Sequence, residues 1–332
     1  MGNADVDLVS LGEVMLRLSP PRYERLRKTR DLDVHPCGAQ FNVAANLAQL
    51  GKKNLFLSRL PDNELGYLAR DLGEGFGVDM SMVKFVDVPK IGLVFVEFGA
   101  SPRRAVHLYD RKGSAASTMA PEDYDWDELL RPARYAYLDG IFPAISDSCY
   151  QTALKYLQAA RDGGTRVCFD VNFRESLWAG SDARAGLARM LEYVDILITN
   201  RTISESLFGY SGSDRELMAA YQTEFGSSLV CLTYKELHGA ERGSWRSLAV
   251  DSRQQYESRN FDFQVVDPFG TGDAFVAGLL YGLLESYDIT AALNFGGALC
   301  ALSHTVEGDQ AVFSVGEVEA LLREDYSFVT KR

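Results

Sequence analysis

The chain has 332 residues, with 34 Lys plus Arg against 46 Asp plus Glu and a net charge of −12. Such a length can bury a large core without disulfides or metal. The acidic balance argues against a nucleic-acid binder, yet leaves an anionic small molecule open if a few cations gather at one site. The apolar run Phe275 to Leu284 is too short to span a bilayer. The first residues carry early acids and no cationic-then-apolar pattern, so no secretory leader is expected, and Val6 breaks a myristoylation motif at Gly2. Cys37, Cys149, Cys168, Cys231 and Cys300 are scattered and form no Cys-x-x-Cys, which predicts buried reduced thiols in a cytoplasmic protein. The histidines lack metal-ligand spacing, and no direct protein ligand to a metal is expected.

In chain order, Val6–Leu11 predicts a strand ending at Gly12, and 40–50 a helix stopped by Gly51. A strand is expected over 54–60 and a helix over 64–76. Strand–helix alternation resumes with strands at 135–138, 166–171, 195–199 and 228–233, and with helices at 148–161, 183–193 and 214–225. Helical patterns over 272–285, 289–303 and 315–322 close the chain. This order predicts an α/β fold with a mostly parallel sheet covered on both faces. Residues 13–36 alternate loosely and carry many charges. Residues 91–110 read as two strands joined through Ala100-Ser101-Pro102 with no helix between. These two stretches suit either a small sheet over the C-terminal edge of the main sheet, where open α/β sheets bind ligands, or an antiparallel edge extension.

No Walker A sequence occurs, and Gly270-x-Gly272 is followed by Phe275 where a dinucleotide fingerprint needs a third glycine. The informative segment is Val266-Asp267-Pro268-Phe269-Gly270-Thr271-Gly272-Asp273-Ala274-Phe275. Its proline and glycines turn directly into an apolar helix, whose first N–H groups lack partners and whose dipole attracts anions. Taken alone, the turn admits a plainer reading, with Asp273 as an N-cap.

This segment resembles the C-terminal signature of the ribokinase-like (PfkB) carbohydrate kinases. Gly38-Ala39-Gln40-Phe41-Asn42 is similar to the family's N-terminal Gly-Gly-x-x-x-Asn motif, some 230 residues earlier and in the family's order. The resemblance implies a three-layer α/β/α ribokinase-like fold over 1–332 as a single kinase domain, with a small β-sheet lid from about 13–37 and 90–115. It implies transfer of the ATP γ-phosphoryl group to a sugar hydroxyl, with Asp273 as base and Gly270, Thr271 and Gly272 as anion hole. Mg²⁺ is implied, a monovalent cation is left open, and a homo-oligomer through the lid is expected.

Within the family, Tyr109-Asp110-Arg111-Lys112-Gly113-Ser114-Ala115, Asp170-Val171-Asn172-Phe173-Arg174 and His304-Thr305-Val306-Glu307-Gly308-Asp309 are similar to segments of 2-keto-3-deoxygluconate kinases. Fructokinases share the second. Arg111 and Arg174 each offer a planar fork suited to a carboxylate, and Tyr109 one further hydrogen bond. Taken singly, Arg111 reads equally as a solvated hairpin charge and Arg174 as a surface ion pair. Asn42 and Asp309 suit sugar hydroxyls, Gly38 a close backbone approach, and Ile141 an apolar wall. Asn200, Thr233, Gly239 and Asn294 are carried over as nucleotide contacts.

The pattern departs from the family in four places. Cys37 replaces the first glycine of the pair, and Val94 stands where some 2-keto-3-deoxygluconate kinases have Tyr. Ile203 replaces the Glu of Asn-x-x-Glu, with Glu205 two residues on, and Lys235 replaces the middle glycine of Thr-x-Gly. The favoured expectation is an ATP-dependent acid-sugar kinase. The alternatives are a kinase for a neutral sugar of the fructose or ribose type, and a catalytically weak sugar-binding regulatory protein with a drifted ATP site.

Overall fold

Strand residues alternate between two apolar layers, which is what places helices on both faces of the main sheet. Val9, Leu11, Ala136, Leu138, Val167, Phe169 and Leu197 face one layer, against the helices Asp147–Gly163, Ala183–Leu191 and Asp214–Phe225. Leu8, Tyr135, Tyr137, Cys168, Ile196 and Ile198 face the other, against Ala39–Gln49, Thr271–Leu284, Ile289–Ser303 and Val315–Leu322. This three-layer α/β/α arrangement bears out the expected fold class. The computed structural model describes residues 6–100, 102–131, 133–178, 182–239 and 241–324, so the readings of Gly2 and Ser101 lie outside the described residues.

From one edge, the main sheet runs Gln255–Glu257, Arg242–Val250, Leu229–Leu237, Ile196–Thr199, Arg166–Asp170, Ala133–Asp139, Val6–Leu11, Asn54–Leu57. The last six of these are parallel to one another. Arg242–Val250 is antiparallel to Leu229–Leu237 and also pairs with Phe261–Gln264. Helix ends follow local chemistry: Ser213 and Glu216 form a capping box, and Gly226 closes the same helix in the left-handed conformation.

Two expectations need correction. The strand expected over 54–60 breaks at Ser58: Asn54–Leu57 joins the main sheet, while Arg59–Pro61 pairs with Lys84–Val86 in a separate ribbon. The strand expected to end at 233 runs on to Leu237 and turns into a long hairpin with Arg242–Val250, because its outer residues find antiparallel partners rather than a helix.

A separate four-stranded sheet is built from Asp33–Cys37, Met15–Ser19, Leu93–Glu97 and Val106–Asp110. Register decides its two faces. His35, Arg17, Val94 and Tyr109 form one row across it; Val34, Leu18, Phe95 and Leu108 form the next. Successive side chains alternate sides, so the rows lie on opposite faces.

Candidate active site

The candidate site lies where the parallel strands end. Asp139 and Asp170 are the last residues of their strands, and Gly12 and Asn200 directly follow theirs. Asp267 organises the turn that enters the long apolar helix. Its Oδ1 accepts the Phe269 N–H at 3.0 Å and its Oδ2 the Gly308 N–H at 3.0 Å. Gly270 then caps the helix in the left-handed region at φ 65°, and a Cβ there would fall 1.8 Å from the Asp309 carbonyl oxygen. At Gly272, by contrast, a Cβ would meet no atom within 4 Å, so the approach to the helix end is open.

No side chain caps this helix, and the Ala274 N–H is bonded to the Gly270 carbonyl at 2.9 Å. The preceding N–H groups of Thr271, Gly272 and Asp273 sit at the positive end of the helix. The plainer reading of Asp273 is thereby excluded: Gly270 is the N-cap, and Asp273 lies three residues inside. Its Oδ2 accepts from Asn42 Nδ2 at 2.7 Å. Burial raises the Asp273 pKa well above the usual range; the Asn42 bond lowers it, while Asp139, Asp170 and Asp309 raise it further. Asn42 is engaged at both ends, its Oδ1 accepting from Gln310 Nε2 at 2.7 Å. It therefore holds Asp273 rather than lying free.

Asp139 accepts from Gln40, from the Ile141 N–H at 2.8 Å, from the Phe142 N–H and from Asn172 Nδ2 at 3.1 Å. Burial still raises it to about 6. Burial raises Asp170 to about 7, and the charge of Asp139 adds to the shift. Ile141 thus shares the turn fixed by Asp139.

Asp309 is not a free carboxylate. Arg17, 1 % exposed, reaches down from the lid sheet and pairs with Asp309 at 2.6 Å and Asp267 at 2.5 Å. Phe98 and Phe269 flank the guanidinium at 5.2 and 5.0 Å. Burial raises Asp309 to about 6 even with Arg17 opposing it. Arg111 is likewise no solvated charge: it pairs with buried Glu13, whose other oxygen accepts from Ser114 Oγ at 2.5 Å. The Arg111 Nε is buried without a partner among the described residues. Arg174 is exposed and makes no ion pair among the described residues. It lies close enough to Tyr109 to oppose the upward shift that burial gives the phenol. Gly38, at φ 149°, is demanded by the chain itself, since a Cβ would fall 2.1 Å from the Glu13 carbonyl oxygen.

A cavity of about 150 Å³ adjoins the helix end, lined among others by Asp170, Arg174, Asn200, Ile203, Thr233 and Gly272. Its size suits a phosphate chain rather than a whole nucleotide. A larger hollow of about 480 Å³, between the helices Asp147–Gly163 and Ala183–Leu191, contains none of these groups. Asn200 also caps the helix Arg201–Ser206, accepting the Ile203 N–H at 2.9 Å. Thr233 Oγ1 donates to the Thr199 carbonyl at 3.2 Å. Glu205 pairs with Arg201 at 2.8 Å and does not line the cavity, so it does not stand in for the acid missing at Ile203. Gly239 and Asn294 are not brought to this cavity. Gly239 sits in the turn at the tip of the long hairpin, and Asn294 Oδ1 accepts the Arg259 N–H at 2.7 Å.

Sequence reasoning missed Arg17, Glu13, Asp139 and Asp267 as members of this site. Asp139 carried a signal, an acid closing a buried strand before Gly140. Arg17 carried none, being one of many charges in a loosely alternating stretch.

The pfkB family carbohydrate kinase model matches residues 5–314. A 2-dehydro-3-deoxygalactonokinase from Haloferax volcanii is 35% identical over 96% of both chains. A 5-dehydro-2-deoxygluconokinase from Clostridium botulinum is 29% identical over 96% of this chain and 93% of that protein. The crystal structure of a 2-dehydro-3-deoxygluconokinase from Thermotoga maritima superposes with a TM-score of 0.90 at 34% identity, covering 96% of this chain and 98% of its own. With an uncapped helix end, a buried carboxylate beside it and these matches along nearly its whole length, the chain belongs to the pfkB family of carbohydrate kinases.

Proposed function

We propose that this kinase transfers the γ-phosphoryl group of ATP to a hydroxyl of an acid sugar, 2-keto-3-deoxygluconate, with Asp273 as base. The observation that carries the reading is Asp273 itself, buried on Asn42 at 2.7 Å beside an uncapped helix end. The sugar oxygen attacks the γ-phosphorus, the bond to the departing ADP oxygen breaks, and Asp273 takes the hydroxyl proton. The N–H groups of Gly270, Thr271 and Gly272 hold the charge on the transferring group.

Mg²⁺ bound to the nucleotide neutralises phosphate charge. Asp170, whose Oδ2 has no hydrogen bond among the described residues, fits the oxygen-rich, water-retaining shell such an ion prefers. Asn200 and Thr233 face the phosphate chain; Gly239 and Asn294 remain proposals for its outer, nucleoside end. Arg174 and Tyr109 receive the sugar carboxylate, with Arg111 beside them on Glu13 and Ile141 as the apolar wall. The names of the three relatives given above, each a kinase of a keto-deoxy aldonate, support a carboxylate substrate.

The whole chain acts as one kinase unit, and two copies pair through the outer face of the lid. Five buried free thiols suit a reducing, cytoplasmic setting. Among the described residues no helix is long and apolar enough to cross a membrane.

ADP release, measured with and without Mg²⁺ and K⁺, tests the reading across 2-keto-3-deoxygluconate, its galactonate epimer, 5-keto-2-deoxygluconate, fructose and ribose. Turnover confined to the acids is expected; faster fructose or ribose turnover overturns it. Sugar binding with no turnover favours a regulatory protein. R111A and R174A should raise KM for the acid sugar far more than for ATP, and equal effects sink the carboxylate role.

A further inference from the structure

Lys235 lies on the strand Leu229–Leu237, two residues beyond Thr233, and its Nζ is 3.4 Å from Thr271 Oγ1 at the first residue of the uncapped helix. An ammonium and a helix N-terminus are both positive, so each raises the cost of the other unless an anion lies between them. The carboxylate that does act on Lys235, Asp267, is already paired with Arg17. Lys235 has no ion pair among the described residues, the helix at Asn200 presents Ile203, and Glu205 is held by Arg201. Lys235 is exposed along its stem, and partial burial about its Nζ lowers the pKa from its ordinary value, opposed by Cys300 and Asp267.

A second donor points to the same place. Trp245 stands opposite Lys235 in the antiparallel register, is 5 % exposed and lines the cavity beside Gly272. Its indole Nε1 is buried with no acceptor among the described residues. Two adjacent strands and a helix end thus present three kinds of donor, and the acid lining the cavity, Asp170, has its pKa raised to about 7 by burial.

We propose that Lys235 is a phosphate-binding residue of this kinase, its ammonium completing the anion hole at Thr271 and holding the terminal phosphates of the nucleotide. The inference rests on the kinase reading and deepens it. The charge that places the phosphates is supplied from the strand, on the side where Ile203 offers none. A lysine here acts as a movable point charge and tolerates arginine better than a neutral side chain.

Calorimetric binding of ATP and AMP to sugar-free enzyme tests this in wild type, K235M and K235R. K235M should bind ATP at least tenfold more weakly and AMP unchanged, with K235R recovering most of the loss. Unchanged or tighter ATP binding in K235M overturns the proposal, the tighter case meaning that Lys235 obstructs the pocket. Equal losses for ATP and AMP also overturn it, since a general disturbance of the fold does not distinguish phosphates. A wild type that binds ATP yet phosphorylates none of the acid sugars refutes the substrate assignment and leaves the Lys235 result standing. A wild type that binds no ATP refutes both.

Discussion

Burial, opposed by the Asn42 amide and reinforced by Asp139, Asp170 and Asp309, favours the protonated form of Asp273. As the proposed base, Asp273 must be free of that proton before it can accept another. The acid limb of kcat/KM against pH should therefore lie above the ordinary aspartate range, and a limb near pH 4 would contradict the raised pKa. Asp273→Asn should cut kcat about 100- to 10,000-fold while leaving the denaturation midpoint at or above that of wild type. Asp170 offers a separate check on stability. Its folded pKa, about 7, exceeds the unfolded value, so its contribution is fully present below the unfolded pKa and is lost as pH rises through 7. Asp170→Asn removes that loss while keeping an acceptor for the Asn172 N–H. In metal-free buffer its melting temperature should gain on wild type between pH 5 and pH 8; a constant difference would place the Asp170 pKa near its ordinary value.

The lid strand Met15–Ser19 is tied to the turn before the helix Thr271–Leu284 through Arg17, a buried cation between two carboxylates. Removing one partner of a buried pair leaves uncompensated charge, at about 3–5 kcal/mol. Arg17→Met should show a loss of that order in urea denaturation, and adding D267N and D309N should recover part of it. No recovery would mean that packing against Phe98 and Phe269, rather than charge, dominates. This element also marks the limit of what was legible. The helices 214–225, 289–303 and 315–322 follow from apolar spacing and strong caps, and they fall on the expected residues. The glycine turn and Asp273 are local in sequence, and the structure places them at the uncapped start of the helix Thr271–Leu284. Arg17 and Glu13 are defined by partners 292 and 98 residues away, and no local pattern encodes such pairings. The long hairpin escaped for a related reason: Tyr234 to Leu237 are mostly exposed, and only pairing across to Arg242–Val250 makes them a strand.

Across the whole molecule, charge and apolar surface are divided between the faces of one small sheet. The row His35, Arg17, Val94 and Tyr109 looks into the cleft; the row Val34, Leu18, Phe95 and Leu108 looks away. Val34 and Leu108 are 40 % and 54 % exposed, on a lid whose outer strand is exposed at every residue. A contiguous apolar row on solvent-facing strands is the mark of an interface. Light scattering should give a dimer for the wild type and a monomer for L108E; a monomeric wild type would remove the lid interface. A net charge of −12 therefore says little about the ligands, since a few cations and one helix end decide what enters the cleft. The Arg17 clasp carries a consequence for biosynthesis. Its partners lie 250 and 292 residues downstream, so the lid strand leaves the ribosome long before either carboxylate is made. A nascent chain halted between residues 267 and 309 holds a cation with its clasp half made, and the entrance to the cleft stays open until Asp309 has emerged.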